Sequence, residues 1–356
     1  MSRLAERFQQ RPLAPEKLSP FPVEELVVAG DLGPCGGVRM AISVTKDILD
    51  YVGGREKVYA NNQPVHNRLV TETFAGQGLV IEPDINNIPA NSIWILSAHG
   101  TDPHIVEKAK EKGIHVVNVE CPLVTKVRRE AQRAEERGEH LIYRGAQNHP
   151  EPKAILGGLN DINHATFITD TTDPNSLTLP KNVPIRVLNQ TTLSIRGVAE
   201  EIDSLRSLNP DIDLPNPMGI CYATDNRQDS LYGMFSDLEN PIDFLIVVGS
   251  QNSHNSQELR NIGVNFLGPQ NAVLIDTPLD IDAGWFKGAK RVGLTSGASV
   301  LDEYTVNVLE WFRAKGTKLT FLVGRENDQR YDGLTFAAPK TEIEKVKRYI
   351  DLKYAV

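Results

Sequence analysis

Three cysteines are the residues of this 356-residue chain whose types and spacing best suit metal chemistry: Cys35, Cys121 and Cys221. Each follows a hydrophobic run, stands beside glycine, proline or a polar turn, and precedes a helical pattern. An odd, widely spaced set without a C-x-x-C pair excludes a disulfide framework or a zinc ribbon. Three thiolates in similar settings suggest one shared soft-metal site, and an iron–sulfur cluster with an open fourth position fits best. Spacing alone leaves a second interpretation, in which three buried cysteines act as small hydrophobic residues.

Imidazole, hydroxyl and amide side chains form a second group of candidates, all in turns. They are His66, His99 and His149, together with the run Ser253-His254-Asn255-Ser256. His99 ends a buried strand pattern, which is where ligands of parallel sheets bind. Neutral imidazole, serine and asparagine groups can bind a diphosphate with few lysines or arginines when a helix N-terminus assists. Ser253 at the start of a helix suits that role, and it equally suits a plain N-cap.

One carboxyl and a pair of threonines complete the candidates. Glu151 follows His149 and Pro150 in a segment that the sequence indicates to be a loop. Beside a cluster and a phosphate it is a candidate proton donor, with a raised pKa if it is buried. The alternative is a solvated surface carboxylate. Thr191 and Thr192 follow a predicted strand, where helix capping and ligand contact are compatible.

Composition restricts the class of protein. Apolar residues make up 40% and charged residues 24% of the chain, as is typical of a globular protein. The net charge of −8 argues against nucleic acid as the main partner. No window is apolar enough to span a membrane, and the first residues lack the apolar core of a signal peptide. Few cysteines, none obviously paired, predict a reducing cytoplasm.

These residues are positioned by short β-branched runs that alternate with helical patterns. Strand–turn–helix alternation predicts an α/β fold with parallel sheets, whose strand-to-helix turns hold the polar candidates. The cysteine-bearing units predict three pseudo-equivalent domains whose strand ends meet at a common centre. Strands are predicted over 26–29, 93–96, 244–248 and 292–295, and helices over 38–51, 103–112, 193–205, 253–262, 300–313 and 340–354.

Taken together, the motifs resemble the hydroxymethylbutenyl diphosphate reductase family, also called IspH or LytB. The matching elements run in order from about residue 26 to 325. They are Gly-Pro-Cys35-Gly-Gly-Val, Val-His66-Asn-Arg, Ser-Ala-His99-Gly, Cys121-Pro-Leu-Val-Thr-Lys-Val, His149-Pro-Glu151, Gln-Thr191-Thr192-Leu-Ser, Cys221-Tyr-Ala-Thr-Asp-Asn-Arg-Gln, Gly-Ser-Gln-Asn-Ser253-His-Asn255-Ser and Ser-Gly-Ala-Ser299.

The resemblance implies a trefoil of three pseudo-equivalent α/β domains around a central [4Fe-4S] cluster. Cys35, Cys121 and Cys221 would hold the cluster, and its fourth iron would be open for substrate. The expected division is an N-terminal extension over 1–22, α/β domains over 23–121, 122–221 and 222–325, and a C-terminal tail with a helix over 326–356.

In that family, two electrons and two protons remove the allylic hydroxyl of 4-hydroxy-3-methylbut-2-enyl diphosphate. The products are the isoprenoid precursors isopentenyl and dimethylallyl diphosphate of the non-mevalonate pathway. The resemblance implies that Glu151 delivers a proton through Thr191 or Thr192, with His149 beside the proton path. His66, His99, Ser253, His254, Asn255 and Ser299 stand at the expected diphosphate-binding positions. It further implies a ferredoxin- or flavodoxin-type electron donor, and a location in the cytoplasm, or in the plastid stroma if the source is photosynthetic.

The sequence departs from the family pattern at a few positions. His254 stands where a serine is usual, and Arg128 where histidine is common. Pro34 and Ala146 replace a common aromatic residue and a histidine. Two alternatives therefore stay open beside the isoprenoid reductase: a divergent iron–sulfur reductase with another substrate, and a non-enzymatic iron–sulfur sensor. A proton donor such as Glu151 favours an enzyme, since a sensor needs only the cysteines.

Overall fold

A computed structural model describes residues 21–210, 214, 219–324 and 335–355 of the chain. Most of the extension expected over 1–22 lies outside the described residues, as do residue 325 of the third expected domain and residues 326–334 and 356 of the tail. The described residues form two compact units.

The helices and strands of the described residues follow the alternation that the sequence predicts. The strands are β1 (Glu25–Val28), β2 (Val58–Ala60), β3 (Leu79–Ile81), β4 (Ile93–Ile95), β5 (His115–Val117), β6 (His140–Arg144), β7 (Ala165–Ile168), β8 (Ile185–Asn189), β9 (Phe244–Val248), β10 (Ala272–Ile275), β11 (Arg291–Ser296) and β12 (Lys318–Phe321). The helices are α1 (Gly36–Val52), α2 (Arg68–Gly76), α3 (Pro103–Glu111), α4 (Pro122–Glu136), α5 (Pro150–Leu156), α6 (Ile195–Leu208), α7 (Tyr222–Phe235), α8 (His254–Leu267), α9 (Asp302–Arg313) and α10 (Lys340–Tyr354).

The first unit comprises the described residues among 1–35, 66–68 and 222–332. Its sheet has the order β10-β9-β11-β1-β12, and these strands pair in parallel. Because side chains alternate along a strand, the sheet buries a separate apolar cluster on each face. Leu26 and Val28 of β1 pack in a cluster with Phe312 of α9, whereas Val27 packs in a cluster with Leu259 of α8.

Strand β1 departs from the contiguous division expected from the sequence. That division assigns residue 25 to the domain over 23–121. In the structure, β1 lies between β11 and β12 in the five-stranded sheet of the first unit. The carboxylate of Glu25 accepts hydrogen bonds from Arg291 at 2.8 Å and from Lys318 at 3.1 Å. A short apolar strand buried on both faces needs a neighbour on each edge, and the late strands supply both.

The second unit comprises the described residues among 36–65, 69–221 and 333–356. Its described part contains a four-stranded parallel sheet, β3-β2-β4-β5, and a three-stranded parallel sheet, β7-β6-β8. Trp94 of β4 packs with Ala109 of α3 beside the larger sheet. The smaller sheet packs on α4 and α5 through Tyr143 and Leu188, and on α6 through Val187.

Helix α10 closes the four-stranded part of the second unit, with the bounds that the sequence predicts. Its apolar residues Val346 and Ile350 are buried. The ring of Tyr349 lies 4.1 Å from that of His115 on β5. On the other side, the hydroxyl of Tyr51 on α1 donates to Asp351 at 2.6 Å. The helix therefore belongs to the packed structure of this unit.

The α/β class with parallel sheets is thus confirmed. The three sheets of the described residues differ in strand number, and the trefoil arrangement stays a prediction. Among these residues no helix combines the length and the apolar character needed to cross a membrane.

Candidate active site

The turn that carries Cys35 is held by hydrogen bonds within the first unit. The N–H of Cys35 donates to the carbonyl of Ala298 at 3.0 Å, and the N–H of Gly33 donates to Ser296 Oγ at 3.0 Å. Gly33 has φ +75°, a left-handed conformation that glycine adopts without steric cost. The Cys35 turn is therefore fixed against the segment that ends in Ser299.

Arg227 on α7 braces the same two segments. Its guanidinium donates to the carbonyl oxygens of Gly33, of Ser296 (3.2 Å) and of Ala223. The side chain is buried, within a helix turn whose polar residues 224–228 are all buried. Arg227 belongs to the motif that starts at Cys221, but its residue type and position do not by themselves mark it as a site residue. The available signal is the unbroken polar run from Thr224 to Ser230, since such a run cannot form an amphipathic surface helix.

Four of the candidate diphosphate-binding residues form one hydrogen-bonded cluster in the first unit. Ser253 is the N-cap of α8 and accepts from Ser256 N–H at 3.3 Å. The hydroxyl of Ser299 lies 3.2 Å from Ser253 Oγ and donates to the carbonyl of His66 at 2.9 Å. Asn255 Oδ1 accepts from Ala298 N–H at 2.9 Å. The helix cap and the candidate ligand-binding residues thus coincide at the start of α8, where the helix dipole favours an anion.

His66 and His254 provide the imidazoles of this cluster. His254 is the first residue of α8, and both His254 and His66 are half-buried. Burial, and secondarily repulsion from His254, lower the pKa of His66 to about 4. His66 is therefore neutral at neutral pH, and it can serve an anion as a hydrogen-bond donor but not as a cation.

Glu151 lies in the second unit, fully buried in the first turn of α5. The sequence indicated a loop here, but Pro150 at the first helical position starts a short helix. The carboxylate accepts from Thr191 N–H at 2.8 Å and from Thr191 Oγ1 at 2.9 Å. The hydroxyl of Tyr143 lies 3.5 Å from it. The solvated surface carboxylate is thereby excluded.

Burial sets the acidity of Glu151. Loss of solvation raises the pKa of this carboxyl to about 7, although the two hydrogen bonds from Thr191 act in the opposite direction. Close to neutral pH, the group can therefore both hold and release a proton, as a general acid requires.

The two histidines of the second unit adjoin this carboxyl. His149 is the N-cap of α5, and its Nδ1 accepts from Glu151 N–H at 3.2 Å. The ring of His99 packs edge-to-face on that of His149, with centroids 5.1 Å apart. His99, His149 and Glu151 therefore form one group in the second unit.

The threonine pair divides between two partners. Thr191 contacts Glu151, whereas Thr192 Oγ1 accepts from Gln190 Nε2 at 2.7 Å. Gln190 Oε1 in turn accepts from Ala146 N–H at 2.9 Å. The sequence does not mark Gln190 or Tyr143 as site residues, although both contact this group. Only the position of Gln190 at a strand end could have indicated its role.

Each cysteine is held through its backbone in the same way. The N–H of Cys121 donates to Ala98 and that of Cys221 to Thr191, both at 2.9 Å, as Cys35 does to Ala298. Every acceptor carbonyl stands in or next to a candidate site residue. None of the three cysteines forms a disulfide.

One steric feature and one ion pair lie next to Cys121 in space or in sequence, and Cys121 directly precedes α4. A side-chain carbon at Gly37 would lie 2.7 Å from Cys121 Sγ, so only glycine leaves room for this thiol. Arg128, the departure from the common histidine, forms an ion pair with the buried carboxylate of Glu120. Arg128 therefore neutralises the buried charge of the residue that precedes Cys121.

Known proteins that are similar to this chain are reductases of one family. Residues 26–313 match the family model described as LytB protein. A 4-hydroxy-3-methylbut-2-enyl diphosphate reductase of Aliivibrio fischeri (strain MJ11) is 34% identical over 310 residues, covering 86% of this chain and 96% of that protein. The reductase of the same name from Pseudoalteromonas translucida (strain TAC 125) is 35% identical over 319 residues, covering 88% and 98%. The solved structure of the E-1-hydroxy-2-methyl-but-2-enyl-4-diphosphate reductase from Plasmodium falciparum matches with a TM-score of 0.81 at 27% identity, covering 92% of this chain and 99% of that one.

The parallel sheets and the reductases among its relatives define an α/β protein of the oxidoreductase class. The chain belongs to the LytB family, as its motifs predict. An iron–sulfur cluster is the cofactor of this family. The residues present fit such a group: the thiols are soft ligands outside any disulfide, and the bare backbone at Gly37 leaves the space that Cys121 Sγ needs.

Proposed function

We propose that the chain reduces 4-hydroxy-3-methylbut-2-enyl diphosphate to isopentenyl and dimethylallyl diphosphate in the non-mevalonate isoprenoid pathway. The names of its relatives support this substrate. The observation that carries the proposal is the fully buried Glu151, whose pKa of about 7 suits a proton donor. An iron–sulfur sensor has no use for such a group, so the acid favours the enzyme.

Cys35, Cys121 and Cys221 are assigned as the ligands of a [4Fe-4S] cluster with an open fourth iron. When bound, the cluster supplies electrons one at a time and a Lewis-acidic iron for the substrate hydroxyl. The backbone hydrogen bonds of the three cysteines support the assignment, because each bond fixes the position of the backbone that carries the thiol.

Protons reach the substrate from Glu151. The allylic C–O bond breaks with uptake of two electrons and two protons: one proton leaves with the hydroxyl as water, and the other adds to the allyl group. Thr191 donates its hydroxyl to the carboxylate and is the first relay, with His149 beside it. Thr192 contributes through Gln190 to the shape of the same turn.

The diphosphate is assigned to the start of α8. Ser253, Asn255 and Ser299 supply short polar groups there, and His66 supplies a neutral imidazole. His254 and His99 complete the assigned set. Hydrogen-bond donors and a helix N-terminus can hold the anion with little fixed positive charge.

A ferredoxin- or flavodoxin-type protein is assigned as the electron donor. The cytoplasm is assigned as the location, or the plastid stroma in a photosynthetic source. The three cysteines outside any disulfide support a reducing compartment.

Turnover of the diphosphate by anaerobically reconstituted protein with a reduced dye tests the proposal. Wild-type protein should convert the substrate, and Glu151→Gln should retain substrate binding while losing about 10²–10⁴-fold in turnover. Glu107→Gln on the exposed face of α3 is the matched control and should turn over normally. Failure of the wild-type protein to reduce the substrate would overturn the proposal.

A further inference from the structure

A row of cations on α4 is not used by the proposed function. The motif that starts at Cys121 continues into this helix and contains Lys126. Lys126, Arg129 and Arg133 are three and four residues apart, so they share one face of the helix. All three are exposed. We call them the basic stripe.

The basic stripe lines one side of a groove of about 440 Å³ in the second unit. The other lining residues are Glu120, Pro122 and Thr125. The carboxylate of Glu120 is already engaged, because it accepts from Thr125 Oγ1 at 2.6 Å and pairs with Arg128. The groove therefore presents net positive charge.

Little within the described chain neutralises the basic stripe. Lys126 and Arg129 form no ion pair with another described residue. Arg133 stands 3.7 Å from Glu130 and keeps 63% of its side chain exposed, a weak surface pair. The chain as a whole carries a net charge of −8. A positive surface on an acidic protein orients an incoming acidic partner.

We infer that the basic stripe is the docking surface for a small acidic protein that carries single electrons. The inference rests on the proposed function, which requires electrons from outside the chain. Helix α4 begins directly after Cys121, and at 1.5 Å per residue Lys126 and Arg129 lie only about 8 and 12 Å from it along the axis. A carrier on the stripe therefore stands close to one assigned cluster ligand.

The shape of the stripe favours a protein over a small anion. Lys126 to Arg133 extend about 11 Å along the helix, with charges in a row and not converging on one point. An acidic protein face meets such a row with several carboxylates, and complementary charge of this kind governs encounter rate and orientation.

Calorimetric titration of a plant-type [2Fe-2S] ferredoxin into the cluster-loaded protein tests the inference. The double variant Lys126→Glu/Arg129→Glu should weaken ferredoxin binding at least about tenfold at low ionic strength. Wild-type affinity should also fall as salt approaches 0.1 M, where the Debye length is about 10 Å, and this dependence should flatten in the variant. In turnover, the KM for ferredoxin should rise while dye-driven kcat stays unchanged.

The double variant Lys108→Glu/Lys181→Glu is the matched control, because it changes the net charge equally at exposed positions outside the stripe. It should bind ferredoxin within about twofold of wild type. Equal ferredoxin affinity in the stripe variant and wild type, or an equal loss in the control, would overturn the inference. So would inorganic phosphate binding that the stripe variant loses while ferredoxin binding persists. Absence of dye-driven turnover in wild type would count against the proposed function alone, because calorimetry detects docking without turnover.

Discussion

The carbonyl of Thr191 accepts a 2.9 Å hydrogen bond from the backbone N–H of Cys221. The same threonine donates its N–H and its hydroxyl to Glu151, so one residue joins a candidate cluster ligand to the candidate proton donor. Any displacement of Cys221 is therefore transmitted to the groups that set the acidity of Glu151.

Thr191→Val should identify this threonine as the proton relay. Valine retains the shape and the backbone N–H but removes the hydroxyl that lowers the pKa of Glu151. The pKa of Glu151 should rise above about 7, and the pH profile of kcat should move to higher pH, with turnover reduced about tenfold or more. Thr192→Val should leave the position of that profile unchanged, because its hydroxyl contacts Gln190. A shift with Thr192→Val alone would assign the relay to Thr192.

Glu151 should make the protein less stable as pH rises. Its folded pKa of about 7 exceeds the ordinary value of 4.5, so the folded state binds the proton more tightly than the unfolded chain. Stability should therefore fall between pH 4.5 and 7, by up to about 3 kcal/mol. Urea unfolding of anaerobic protein across this range checks the slope. Glu151→Gln should remove it and stabilise the protein at pH 8, whereas Glu107→Gln should keep the wild-type slope.

His66 should act in the opposite direction. In the folded protein the pKa of His66 is about 4, below the ordinary value of 6.5. Between pH 4 and 6.5 the unfolded chain therefore binds a proton at this histidine, whereas the folded protein does not. This contribution lowers stability by up to about 3 kcal/mol as pH falls from 6.5 to 4. The difference in unfolding free energy between wild type and His66→Asn should show it. His104→Asn, at an exposed position of α3, is the control and should show no such difference.

His254→Ser should reduce the loss of stability that the low pKa of His66 causes between pH 6.5 and 4, by less than His66→Asn does. Repulsion from His254 is the second cause of the low pKa of His66, after burial. Removing that imidazole should raise the pKa of His66 but leave it below 6.5. The acid-dependent loss of stability should therefore shrink without disappearing, and an unchanged loss would mean that the two imidazoles do not interact.

Gly37→Ala should displace the thiol of Cys121. The added carbon would lie 2.7 Å from Sγ, closer than van der Waals contact allows. Reconstituted protein should bind fewer than the approximately four irons expected of the wild type and bleach faster in air. Gly233→Ala in α7 is the matched control, because a side-chain carbon there meets nothing within 4 Å. Equal iron content in both variants would show that the thiol adapts.

Local sequence patterns were sufficient for much of this architecture. The helix at 340–354 and the strand at 244–248 have the predicted bounds, because apolar periodicity and β-branched runs are local signals. The start of α8 was also predictable, since Ser253 is a typical N-cap. The sequence predicts a helix over 38–51 after Cys35, whereas the observed helix α1 already begins at Gly36. Glycines there obscured its first turn.

Long-range partners were not predictable in the same way. Nothing near Arg227 in the sequence indicates that its guanidinium binds the carbonyl of Gly33, 194 residues away. The choice of Thr191 over Thr192 as partner of Glu151 depends on the rotation of a single turn, which adjacent identical residues cannot reveal. Likewise, the residues of β1 predict a strand, but they do not predict that it pairs with β11 and β12.

The position of β1 also has a consequence for biosynthesis. Glu25 contacts Arg291 and Lys318, which follow it by 266 and 293 residues. Leu26 and Val28 are fully buried in the folded protein. In the nascent chain, β1 therefore lacks both of its partner strands until most of translation is complete. Unpaired apolar strands of this kind are prone to aggregate, and such distant pairing forms slowly. We expect the yield of intact protein in a foreign host to depend on chaperones that shelter this strand, and to fall when the ribosome pauses before residue 291.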